Sequence, residues 1–144
     1  MGMADVSGKK PVLRTAVAEG KITLGRDTVD LILSGDVKKG DPLAAAEIAA
    51  ILAVKKTPEL IPHCHQIAVE DVSCEFKVGS DEVYAKLRVA ATAKTGVEME
   101  ALVGVAAALA TVWDMVKYLE KDADGQYPNT MISGIRVKEK AKRL

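Results

Sequence analysis

Asp114 and Lys117 stand three residues apart, His63, Cys64 and His65 are consecutive, and Lys38, Lys39 and Gly40 run directly into Asp41 and Pro42. On a helix, a spacing of three makes Asp114 and Lys117 neighbours: an acid held ionised beside an ammonium, or an ordinary surface ion pair. The His63–Cys64–His65 run suggests a metal. However, adjacent residues cannot easily supply a tetrahedral shell, and only Cys74 lies elsewhere. No metal site is therefore read. A histidine acting as general acid or base, or bonding a nucleobase edge, suits that corner better, with a plain surface turn as the alternative. Asp41 followed by Pro42 marks a helix start, so Lys38 and Lys39 precede a helix N-terminus. Dipole, free amides and ammonium groups would favour a phosphate there, against the simpler reading of a solvated loop. Thr95 and Glu98 have capping-box spacing, which already accounts for Glu98. Glu100, two residues on, has no such account and could simply be solvated. Asp122–Gly125 faintly resembles a calcium loop, but no glutamate closes it.

The elements that must position these groups follow from periodicity. Leu102, Val105, Leu109, Val112, Val116 and Leu119 recur at helical spacing, so that face of a long helix is core. Gly104, Ala107, Thr111 and Asp114 share a second face whose small residues fit close approach by another element or subunit. Val12–Leu24 reads as one or two short strands interrupted at Gly20, with Arg14 opposite Leu13. A short helix runs from an Asp27 N-cap to Ser34 and stops at Gly35. The next runs from Pro42 to Lys55–Lys56, and Thr57–Pro58 starts a separate turn. Ile67–Val78 and Val83–Ala93 alternate as a hairpin, and Met131–Lys138 is a last strand. The result is an α+β fold, a ferredoxin-like antiparallel sheet with helices packed on one face. One domain is expected over residues 1–144, with residues 1–4 a disordered start and 139–144 a basic tail.

Composition narrows the function. Lys plus Arg and Asp plus Glu number 20 each, which argues against generic nucleic-acid binding, and aromatics are only 3%, too few for base-stacking platforms. The longest uncharged apolar run, Ala101–Trp113, falls short of the ~20 residues of a membrane span. No secretory leader is read ahead of the two cysteines, so a reduced, cytoplasmic setting with free thiols is expected.

Geometry adds a constraint. Glu100 and Asp114 are fourteen residues apart on one helix, ~21 Å along its axis, and point to nearly the same side. One small-molecule site in one chain can hardly hold both. If both serve catalysis, opposite ends of this helix from two subunits must meet, so an oligomer is expected.

Lys39–Gly40–Asp41, Lys56–Thr57 with Leu60–Ile61–Pro62 and Cys64–His65, Lys94–Thr95–Gly96–Val97–Glu98–Met99–Glu100–Ala101–Leu102, and Asp114–Met115 with Lys117 together resemble the molybdenum cofactor biosynthesis protein C family, the cyclic pyranopterin monophosphate synthases. The resemblance runs from about Asp5 to Lys138. It implies a ferredoxin-like subunit in a homohexamer, a trimer of dimers with active sites at the dimer interface. It also implies conversion of 3′,8-cyclo-7,8-dihydroguanosine triphosphate to cyclic pyranopterin monophosphate with release of pyrophosphate. The work is proton transfer and intramolecular phosphoryl transfer, with no redox cofactor; a magnesium ion could accompany the triphosphate. By resemblance Asp114, Lys117 and Lys39 are catalytic, and His63, Cys64, His65, Met99, Glu100, Arg14 and Glu98 bind substrate. Two departures stand out: His63 and Gln66 replace the leucine and proline usual around Cys–His, and the tail lacks the family's glycines. A regulatory module that binds a purine nucleotide without turnover is the alternative, and a scaffold built on the alanine-rich helix is a third reading.

Overall fold

The structure, a computed structural model, describes all 144 residues. Seven elements follow in order: β1 (Val12–Thr23), α1 (Arg26–Ser34), α2 (Pro42–Leu60), β2 (Asp71–Val78), β3 (Glu82–Ala93), α3 (Glu98–Glu120) and β4 (Met131–Arg143). The strands form one sheet in the order β2-β3-β1-β4, every neighbouring pair antiparallel. That is the ferredoxin-like arrangement expected from the pattern. Ala16, Ala18 and Ile22 of β1 and Val83, Ala85, Leu87, Val89 and Ala91 of β3 are fully buried on the side that meets the helices. Val105, Leu109, Val112 and Val116 of α3 complete that core, with Leu102 and Leu119 packed at its rim. By length and hydropathy α3 is long and apolar enough to cross a membrane, but its apolar stripe lies in this core.

Gly20 does not interrupt β1, contrary to expectation. A Cβ there would come within 3.1 Å of Ile135, Leu109 and Val105, so glycine lets α3 and β4 close on the strand. Gly104 does the same from the helix side, where a Cβ would lie 2.9 Å from both Leu87 and Val54. The close approach read from the small-residue face is therefore made, at Gly104, by β3 and α2 of the same chain.

Three helix boundaries differ from the sequence reading. α1 starts after Gly25, and Asp27 sits inside its first turn. Its capping acceptor is remote: the Glu120 carboxylate accepts from the Gly25 N–H at 3.1 and 3.2 Å, from the Thr28 hydroxyl, and from the Thr130 hydroxyl at 2.8 Å. One carboxylate thus ties the end of α3 to the start of α1 and to the entry of β4. α2 does not stop at Lys56 but runs through Pro58 to Leu60. Thr57 is fully buried and its hydroxyl donates to the Ala53 carbonyl at 2.9 Å, one turn back, instead of capping a new helix. Asp41 caps α2 as expected, accepting from Leu43 and Ala44 N–H at 2.9 and 3.2 Å. α3 has Val97 at its N-cap with no side-chain cap, so the Thr95/Glu98 capping box does not form.

Two strands also differ. β2 begins at Asp71, not Ile67, because Ile67–Glu70 have no strand pairing apart from the Glu70 N–H bond to the Ala90 carbonyl. β4 continues to Arg143, so residues 139–143 are not a tail: Lys140 pairs opposite Ala16 and Lys142 opposite Arg14. Residues 1–4 lie outside any helix or strand, and the Ala4 carbonyl is engaged by His65 at 2.7 Å.

Candidate active site

α3 carries a cluster of polar side chains at each end. At its C-terminal half Asp114 projects from the surface, its side chain 62% exposed, between two ammonium groups. Lys117 Nζ lies 2.9 Å from Asp114 Oδ1. Lys39 reaches across from the α1–α2 loop, with Nζ 3.8 Å from Oδ2 and donating to the Asp114 carbonyl at 2.9 Å. The bond from Lys117, its charge and then the charge of Lys39 hold the Asp114 carboxyl below the usual carboxylate range. In return the bond and charge of Asp114 raise the Lys117 ammonium. The three residues expected to be catalytic are therefore together.

The N-terminal end of α3 meets the far ends of β1 and β4. Arg14 is fixed by donating Nε to the Ala93 carbonyl at 3.4 Å and Nη2 to the Lys94 carbonyl at 3.2 Å. Lys140 Nζ donates to Glu98 Oε1 at 2.6 Å. Arg14, Thr15, Gly96, Glu98, Lys140, Ala141 and Lys142 line a cleft of about 330 Å³. Burial pushes the Glu98 carboxyl up, but the Lys140 bond, its own backbone amide and the Lys140 and Arg14 charges outweigh this, and it titrates below its ordinary value. A side chain at position 96 would collide with the Glu98 carboxylate where it folds back toward Lys140, which explains Gly96. Arg14, Lys140 and Lys142 thus gather at the head of α3, where the amides and dipole of the helix favour negative charge in the same sense.

Beside that cleft, Glu100 is buried to 2% exposure and one of its oxygens, Oε1, has no hydrogen-bond partner. Solvation, the sequence's default for this residue, is thereby corrected: the first turn of α3 points Glu100 into the core rim under Cys64. Cys64 Sγ lies 3.5 Å from Glu100 Oε2. Burial raises the Glu100 carboxyl above its ordinary value despite its backbone amide and the Cys64 bond. Burial, then the Glu100 charge, pushes the Cys64 thiol up to about 11. Both cysteines are free. His65 Nε2 is 2.7 Å from the Ala4 carbonyl, which can only accept. Nε2 therefore carries the proton, and in the neutral ring Nδ1 is left as the acceptor. His63 and Met99 are exposed, and neither joins a cluster. No three His, Cys, Asp or Glu side chains are grouped so as to hold a metal ion.

The comparisons with known proteins decide the family. The MoaC family pattern matches residues 3–142 of the 144. The chain belongs to the MoaC family. It is 57% identical over 141 residues to the probable cyclic pyranopterin monophosphate synthase of Aeropyrum pernix, covering 98% of this chain and 97% of that one. It is 57% identical over 140 residues to the protein of the same description from Thermococcus onnurineus, covering 97% and 90%. It is 54% identical over 140 residues to a probable cyclic pyranopterin monophosphate synthase accessory protein of Methanothermobacter thermautotrophicus, covering 97% and 88%.

Sequence reasoning placed Lys140 and Lys142 in a tail, whereas the structure puts them on β4 beside Arg14, lining the cleft. The signal was present: Lys138, Lys140 and Lys142 alternate with Glu139 and Ala141 at strand spacing.

Proposed function

We propose that this MoaC-family chain converts 3′,8-cyclo-7,8-dihydroguanosine triphosphate to cyclic pyranopterin monophosphate and pyrophosphate at a site shared by two subunits. One subunit contributes Asp114, Lys117 and Lys39; the other contributes Arg14, Lys140, Lys142, Glu98, Glu100 and the Cys64–His65 corner. The observation that carries this reading is the opposed environment of two acids on one helix. Asp114, between two ammoniums, is held in its ionised form; Glu100, buried and short of a partner, holds its proton more tightly than an ordinary carboxyl and is the better placed to give one. Their separation of ~21 Å along α3 keeps them from one substrate unless two chains combine.

Arg14, Lys140 and Lys142 are suited to the phosphates, and fixed cations there stabilise charge developing on leaving pyrophosphate. Asp114 and Lys117 form the proton-transfer pair, each holding the other in its charged form. Lys39 adds a second cation beside them. His65 offers Nδ1 to the purine-derived ring.

A homo-oligomer, a hexamer built as a trimer of dimers, fits the exposed apolar face of α2, where Ile48 and Leu52 are 62% and 51% exposed one turn apart. Residues 1–144 act as one domain, and the neutral composition suits a cytoplasmic enzyme. The test is to supply purified cyclised dihydro-GTP and measure pyrophosphate and pterin product. Wild type turns over, and Asp114→Ala loses about 10²–10⁴-fold. Absence of wild-type turnover, with the nucleotide bound unchanged, would establish the binding-module reading instead.

A further inference from the structure

We propose that Tyr118 is a positioning residue for Lys39: its hydroxyl ties the backbone of the α1–α2 loop to α3 and so sets Lys39 against Asp114. This rests on Lys39 and Asp114 working together in the site proposed above.

The loop from Asp36 to Asp41 is anchored mainly to its own neighbours. Val37 is buried in the core, the Gly40 N–H donates to the Val37 carbonyl at 3.1 Å, and Asp41 caps α2. Gly40 takes φ +118°, a conformation that suits glycine and lets the chain turn back within one residue. None of these hydrogen bonds reaches α3. The backbone of the loop is tied to α3 by the Lys38 N–H, which donates to the Tyr118 hydroxyl at 2.7 Å. Tyr118 lies four residues beyond Asp114, one turn along the same helix face. Its ring spans from that face to the loop one residue before Lys39. Lys39 then reaches both the carboxylate and the carbonyl of Asp114.

A lysine side chain has several rotatable bonds, so its ammonium is well placed only if its Cα is held. The Tyr118 hydroxyl holds that Cα through the N–H of the residue before it, Lys38. It makes no hydrogen bond to the Asp114 carboxylate or the Lys117 ammonium, so it acts through Lys39.

The experiment is a double-mutant cycle of Tyr118→Phe with Lys39→Ala, read as kcat/KM for pyrophosphate release from cyclised dihydro-GTP. Tyr118→Phe removes one oxygen from a side chain 41% exposed, so folding should be unaffected, which the melting temperature checks. Tyr118→Phe should lower kcat/KM by about 2- to 10-fold, the range of one neutral hydrogen bond. In the Lys39→Ala background it should have no further effect. An equal loss in both backgrounds, or no loss in the wild type, overturns the positioning role. Full activity of Lys39→Ala alone instead overturns the site reading on which it rests.

Discussion

If each active site takes Asp114 from one chain and Glu100 from another, two inactive variants should repair each other. The perturbation is co-expression of an Asp114→Asn chain with a Glu100→Gln chain, each carrying a different tag. The spacing sets the logic: fourteen residues of α3, ~21 Å at the rise of an α-helix, separate the two lesions, so they fall in different sites of the same chain. Pure oligomers of either variant carry one lesion in every site and should retain about 1% of wild-type activity or less. With random pairing, half of the dimers are mixed. In a mixed dimer one site combines the two intact ends and the other combines the two substituted ones. The intact share is therefore about one quarter of all sites, as expected for a two-fold interface in which each patch meets its counterpart.

Pyrophosphate release should thus recover to ~25% of wild type, at least about 25-fold above either parent. Capture through one tag and detection of the other verifies that mixed oligomers exist. Verified mixed oligomers that stay at the parental level would refute the argument, because a site contained in one chain leaves a lesion in every site. Recovery should also fail when Asp114→Asn is paired with Lys117→Ala, since both then remove the same half-site.

Two further outcomes follow from burial. Glu120→Ala strips acceptors from the Gly25 amide and from the Thr28 and Thr130 hydroxyls, which are 3% and 7% exposed, and should cost about 2–4 kcal/mol, read as a lower urea midpoint at unchanged slope. Glu100→Gln should stabilise the fold at neutral pH while abolishing turnover. The folded carboxyl titrates above its unfolded value, so the folded state binds the extra proton and stability falls as pH rises from the unfolded value through the folded one. Glutamine cannot ionise and escapes that loss. The variant's gain in melting temperature should therefore be absent in acid, below about pH 4 where both states are protonated, and present at pH 7. An equal gain at both pH values would show that charge burial is not its cause.

What the sequence discloses depends on whether a group's partner is near in the chain. The Asp114–Lys117 pair is legible because three residues on a helix fix the geometry, and the Asp41–Pro42 start because a cap is local. The ferredoxin-like order is legible because alternation and helical spacing each repeat over whole elements. Gly20 was misread since the reason for it, the side chains of Val105 and Leu109, lies some ninety residues away. The end of β4 was misread because a run of lysines looks like a solvated tail until Arg14 and Ala16 are known to lie across from it.

The two glutamates at the head of α3 show the same limit in the chemistry. Local rules assign Glu98 to a capping box and leave Glu100 to solvent. In the fold, Glu98 turns away from the helix toward Lys140, and Glu100 takes the buried place. The exchange has one physical source. Extending β4 to Arg143 brings an ammonium to Glu98, and that attraction between strand and helix competes directly with the weak local bond of a cap. Glu100 has no cation within reach and shares its pocket with a thiol, so burial decides its state. A carboxylate paired outward and a carboxyl whose titration burial raises, two residues apart, give one end of α3 two acids of opposite character. The opposite end, with Asp114 between two lysines, supplies the complementary ionised acid. The same helix cannot bring its own two ends together, so the site proposed above requires a second copy of the chain to turn its opposite end to the first.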